Sequence, residues 1–171
     1  MSDRRHPGLA TGGTVRAAQR LNRAAGTLAA SVLLDSALEH YRGCFHNRAM
    51  LAPLVSAALS VAVSAHGNAD RRAAAHRVRD GVYTAAILVG LAGSGFHLYN
   101  LLKRPGRLRW QNLFYGAPLG APAALILSGT TGFLAERVRN TPHGAAPAIA
   151  GISAGRAVAA AASAGLLGTA A

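Results

Sequence analysis

Apolar and polar positions alternate along this chain in long blocks rather than residue by residue. Residues 50–67 (MLAPLVSAALSVAVSAHG), 81–102 (GVYTAAILVGLAGSGFHLYNLL) and 110–135 (WQNLFYGAPLGAPAALILSGTTGFLA) carry no formal charge. Polar stretches rich in Arg, Gly and Asn separate them. Blocks of about 20 apolar residues are what a helix needs to cross a bilayer, and a helix satisfies every backbone group within its own segment. The pattern predicts an all-α fold, an integral membrane helical bundle with four to five transmembrane helices.

The spans fall at residues 24–42, 50–67, 81–102, 111–135 and 146–170. The first belongs to a longer helix-compatible run, TVRAAQRLNRAAGTLAASVLLDSALEHY, in which Arg16, Arg20 and Arg23 recur three and four residues apart. That spacing puts them on one face, at headgroup depth. Pro118 and Pro122 are expected to kink the fourth span, which a bundle tolerates when neighbours satisfy the freed carbonyls. The fifth is apolar mainly through Ala and Gly and is interrupted by Arg156. Residues 1–13 read as a disordered basic tail, and residues 14–171 as a single helical membrane domain. No apolar core follows the basic N-terminus, so no secretory signal peptide is expected.

Composition strengthens this picture. Of 171 residues, 51% are apolar and 14% charged, against about 25% charged in ordinary soluble domains. The mean hydropathy, only +0.24, keeps a soluble Ala-rich helical bundle as an alternative. The formal charge of +12 comes from 17 arginines and Lys103 against six acids. The arginines cluster between apolar blocks, with no interleaved aromatic platform of the kind that stacks bases. Nucleic acid is therefore not an expected partner. The lipid bilayer and other protein subunits are.

Lys and Arg in the short loops set orientation. With the N-terminus inside, the inner segments hold eleven (Arg4, Arg5, Arg16, Arg20, Arg23; Arg71, Arg72, Arg77, Arg79; Arg137, Arg139). The outer loops hold six (Arg42, Arg48; Lys103, Arg104, Arg107, Arg109). This predicts a cytoplasmic N-terminus, and the preference for Arg over Lys suggests a bacterial inner membrane. Trp110, Phe114 and Tyr115 then fall at the outer interface. Small-residue pairs such as Gly90 with Ser94, Gly116 with Gly120 and Gly129 with Gly132 suit close helix approach.

Candidate chemistry concentrates where the first span ends, in LLDSALEHYRGCFH. His40 and His97 each lie 16 residues beyond the start of an outward-running span, so both imidazoles should reach one depth. Two histidines so placed are candidate axial ligands of a b-type haem, with Gly90, Gly93 and Gly95 leaving room for the macrocycle. Asp35 is expected near mid-membrane, where an unpaired charge costs about 2.5–3.5 kcal/mol; Arg156, at similar depth, is its predicted partner. Glu39, one turn above Asp35, completes with His40, Tyr99 and Asn100 an intramembrane polar cluster. Cys44, the single cysteine, can form no intrachain disulfide.

No phosphate loop, zinc-protease motif or nucleophile elbow occurs, so no independent catalytic activity is expected. The sequence reads as a small inner-membrane subunit or anchor of a larger complex, with haem-based electron transport as its candidate redox role. The alternative is a proton, ion or solute transport protein using the intramembrane cluster.

Overall fold

The computed structural model describes residues 12–115, 119–141, 148–149, 152–153, 156 and 159–160. Its long elements are α1 (Gly12–Arg42), α2 (Leu51–Ala69), α3 (Arg77–Leu102) and α5 (Gly120–Arg139), with a six-residue α4 (Trp110–Tyr115) between the last two. Beyond them, β1 (Ala148–Ile149) and β2 (Ile152–Ser153) pair antiparallel over two residues each. The fold is all-helical in every other described element.

Spacing explains the packing. Buried positions on α1 are Val15, Ala18, Asn22, Ala25, Ala29, Val32 and Ser36, alternating three and four apart as in a coiled-coil seam. On α2 the corresponding series is Ala57, Ser60, Ser64 and Gly67; on α3 it is Arg79, Tyr83, Ala86 and Gly90. These seams carry small residues, so the backbones come close. At Gly132 a methyl group would collide with the Tyr83 ring, and at Gly67 with the Asn22 side chain. The helices run up, down, up and down, each packed on its neighbours in the cyclic order α1, α2, α3, α5.

What the seams leave outside is apolar and large. Leu34, Leu38, Val55, Leu59, Leu88, Leu91 and Phe96 are all at least half exposed, while Arg79, Arg139, Glu136 and Asn22 are wholly buried. These buried polar groups share the interior with an apolar core, Val32, Ala57, Ala86 and Leu125 in one cluster and Leu134 with Val138 in another. Two helices, Arg48–Ala69 (with its leading 3₁₀ turn) and Arg77–Leu102, are long and apolar enough to cross a membrane. Less than a quarter of either apolar window is buried inside the bundle, unlike the core helix of a soluble protein.

Several expected boundaries move. The first helix begins at Gly12, inside the predicted tail. The predicted span 111–135 is divided into α4 and α5. Pro122 falls in the first turn of α5, where the missing N–H is tolerated, so no kink is needed there; Pro118 lies outside the described residues. At its far end α5 continues to Arg139, because Glu136 and Arg139 are buried rather than looped. Within the predicted span 146–170 the described residues are β1, β2, Arg156 and residues 159–160, and the rest lies outside the described residues.

Between α1 and α2 the chain reverses through Cys44 and Phe45, both left-handed (φ 57° and 43°). Phe45 N–H donates to the His40 carbonyl, closing the helix end, and the Asn47 side chain accepts from Ala49 N–H at 2.9 Å. This turn, together with the α3–α4 loop, defines the turn end of the bundle.

Candidate functional site

His40 and His97 both come to the turn end. The antiparallel register fixed by the Asn22–Gly67 and Gly26–Ser64 approaches carries His40 level with Met50. His40 Nδ1 lies 2.6 Å from the Met50 carbonyl oxygen. A carbonyl can only accept, so Nδ1 is the donor in this contact, which in a neutral ring leaves the lone pair on Nε2. His97 lies on α3, five residues before the helix ends at Leu102. Of the glycines beside it, Gly90 is filled by Ile126 and the Pro122 backbone, whereas Gly95 faces open space.

The rest of the expected cluster does not converge. Among the described residues Asp35 forms no ion pair, and no contact joins it to Arg156; both are exposed. The register explains part of this, since it sets Asp35 level with Leu54 and Val55, near the turn end and away from mid-bundle. Glu39 pairs with Arg42 on the surface at 2.7 Å. Tyr99 is exposed, with the Lys103 amino group 4.1 Å from its ring centroid. Asn100, also exposed, accepts the Lys103 N–H through its backbone carbonyl. No group of three or more His, Cys, Asp or Glu side chains suited to a metal ion occurs among the described residues.

The most organised constellation lies at the opposite end. Arg79, in the first turn of α3, donates from Nε and Nη2 to Glu136 of α5 at 2.8 and 2.9 Å, and from Nη1 to Asp70 at 2.9 Å. Glu136 also accepts the His76 N–H at 2.8 Å, satisfying a donor that the start of α3 leaves open. Arg139 donates to the carbonyls of Gly67, Asp70 and Arg72, capping the C-terminus of α2. Arg137 pairs with Asp80 at 2.8 Å on the half-exposed flank. One layer inward, Tyr83 O–H donates to Asn22 Oδ1 at 2.6 Å and lies 3.0 Å from Ser64 Oγ, while Ser128 Oγ donates to the Ala25 carbonyl.

Burial alone would raise the Asp70 carboxyl. The Arg72 N–H, the Arg79 guanidinium and the nearby charge of Arg139 outweigh it and hold the group below its ordinary value. Two buried arginines thus meet two carboxylates, with formal charge cancelled inside the network. Such an arrangement joins α2, α3 and α5 at one end. Sequence reasoning treats Arg79, Arg137 and Arg139 only as loop charges that set orientation. The available signal was the acids. Asp70, Asp80 and Glu136 are half of the six, and all lie at the end richest in arginine.

No protein-family model, no curated protein and no solved structure matches the chain.

Proposed function

We propose that this protein is an integral membrane four-helix bundle of a bacterial inner membrane, N-terminus cytoplasmic, serving as a small subunit or anchor of a larger complex. The observation that carries the reading is the apolar exterior of α2 and α3, where Val55, Leu59, Leu88, Leu91 and Phe96 face outward and less than a quarter of either apolar window is buried. In water, such outward side chains along two long helices would form an apolar face of the kind that marks a membrane or protein contact. In lipid they are the natural exterior, and small polar seams supply the packing.

Three further features agree. α1 and α5 lie alongside α2 and α3 through contacts such as Gly26 with Ser64 and Gly129 with Ile87, so embedding the middle pair embeds all four. Exposed aromatic rings gather at the turn end, with Tyr41, Phe96, Tyr99 and Trp110 outward, as at a membrane interface. The buried ion pairs lie at the other end, together with most of the arginines. A scaffold with short connections and an apolar exterior has little surface for separate enzymatic work, which favours a role beside other subunits.

Alkaline carbonate treatment of membranes tests the embedding, and native electrophoresis in mild detergent tests the complex. Resistance to carbonate and migration with larger subunits are expected. Release into the carbonate supernatant would instead return the chain to the soluble-bundle alternative.

A redox role rests on one observation, the His40 Nδ1–Met50 bond, which leaves Nε2 in the tautomer that ligates iron and orients it through its other nitrogen. With His97 at the same end of the bundle, a b-type haem would draw one ligand from each ring. A reduced-minus-oxidised spectrum of purified protein, with His40→Ala and His97→Ala variants, decides. A b-type band lost in both variants supports the role; a flat spectrum from haem-replete cells ends it.

A further inference from the structure

The seam between α2 and α3 is the loosest of the four around the bundle, and along it runs an open groove of about 570 Å³. Its walls are Leu51, Val55 and Leu59 on one side and Val82 and Val89 on the other. At one end stands Arg48, exposed and without a carboxylate partner among the described residues. In the wall lies Ser56, whose buried Oγ has no hydrogen-bond partner. Of the serines buried in α2 it differs in this, since Ser60 Oγ is tied to the Ser56 carbonyl and Ser64 Oγ to Tyr83.

We infer that this groove holds one acyl chain of an anionic glycerophospholipid whose phosphate meets Arg48. The inference rests on the membrane reading above. Length supports it: from Arg48 to Leu59 the helix rises about 16 Å at ~1.5 Å per residue, close to half of the roughly 30 Å hydrocarbon core. Arg48 thus lies at headgroup level when Leu59 lies at the midplane. Charge supports it too, because a guanidinium binds phosphate through a planar fork and no protein acid here competes for it. A saturated chain matches the apolar walls. A second protein helix fits less well, since Arg48 would then need a carboxylate that the groove does not provide.

The test uses full-length protein released in mild detergent and mixed with phosphatidylglycerol or with phosphatidylcholine, the lipid retained being read by native mass spectrometry. One tightly retained phosphatidylglycerol is expected, with phosphatidylcholine weaker. Arg48→Ala should weaken phosphatidylglycerol about fivefold, the loss of one surface arginine contact, and abolish the preference. Ala85→Phe and Ala52→Phe, which fill the groove, should remove the bound lipid while Arg104→Ala leaves it. Agreement of both filling variants guards against one of them misfolding. Equal retention of the two lipids, or retention undiminished by both filling variants, overturns the inference. Carbonate extraction run in parallel separates the two failures: a carbonate-resistant protein without bound lipid refutes the groove alone, and a carbonate-released one refutes the membrane reading itself.

Discussion

Arg79 and Glu136, 57 residues apart in the chain, face each other through two parallel hydrogen bonds of 2.8 and 2.9 Å with neither side chain exposed. A bidentate pair of this kind is geometrically specific. It fixes the start of α3 against the end of α5, and through Asp70 and Arg139 it brings in the end of α2. Its energetic consequence is asymmetric, because removing one partner leaves the other as a buried unpaired charge.

Glu136→Ala should therefore destabilise the fold by about 3–5 kcal/mol, while the double change Arg79→Met with Glu136→Leu recovers most of that loss. Thermal unfolding of the purified variants reads both. If the single variant unfolds at the wild-type temperature, the pair contributes nothing and the network is decoration.

Tyr83 links the same end to the bundle interior, and two substitutions probe it from opposite sides. Tyr83→Phe leaves Asn22 Oδ1 buried without its donor, a cost of about 1–3 kcal/mol. Gly132→Ala puts a methyl group into the space of the Tyr83 ring and should cost a similar 1–3 kcal/mol by overpacking. The two should not add, since each disturbs one contact set. Strict additivity in unfolding free energy would show that the ring and the hydroxyl act independently.

The helical class, the order of apolar segments and the excess of arginine at one end were legible in the sequence because block patterning and charge are properties of single segments. Rise per residue alone puts His40 and His97 at one depth in the proposed bundle. The expected Asp35–Arg156 pair does not form among the described residues. A depth measured from Ala24 ignores the register with α2, which is set by Asn22 against Gly67 and carries α1 past the start of α2 at the turn end. The buried network was missed for a related reason. Charges adjoining short loops look solvated, and only the approach of α2, α3 and α5 at one point shows that Asp70, Arg79, Glu136 and Arg139 share an interior.

Because Asp35 and Arg156 do not meet among the described residues, Asp35→Asn and Arg156→Ala should act independently on stability. Their combined effect is expected within about 0.3–0.5 kcal/mol of the sum, as for sites with no shared partner. A coupling energy well above that would revive the pairing.

Acid should loosen the network through Asp70. Its folded-state value lies below the ordinary 3.8, so near that pH the unfolded chain binds more protons than the folded one, and stability falls with falling pH. The contribution is complete above 3.8 and drains as the pH drops through the folded-state value. In Asp70→Asn that part of the acid slope should vanish, at the cost of lower stability near neutrality. Unfolding midpoints measured from about pH 6 down to about pH 2 give the difference between the two proteins; identical slopes would mean that Arg79 and Arg139 do not act on this carboxylate.

Orientation is testable at Cys44, the single cysteine, exposed in the α1–α2 turn. With the arginine-rich end inside, that turn faces the outer aqueous side, and the positive-inside rule makes the assignment depend on short flanking loops such as these. A membrane-impermeant maleimide should then label Cys44 in intact spheroplasts, with Cys44→Ser silent. In the Cys44→Ser background, Ala74→Cys, in the exposed part of the α2–α3 loop, should react only after permeabilisation. The opposite pattern at both positions would invert the bundle, placing the ion-pair network and its arginines on the outer face. Labelling of both positions in intact spheroplasts would mean that the two ends share one compartment, which no membrane-crossing bundle of antiparallel helices allows.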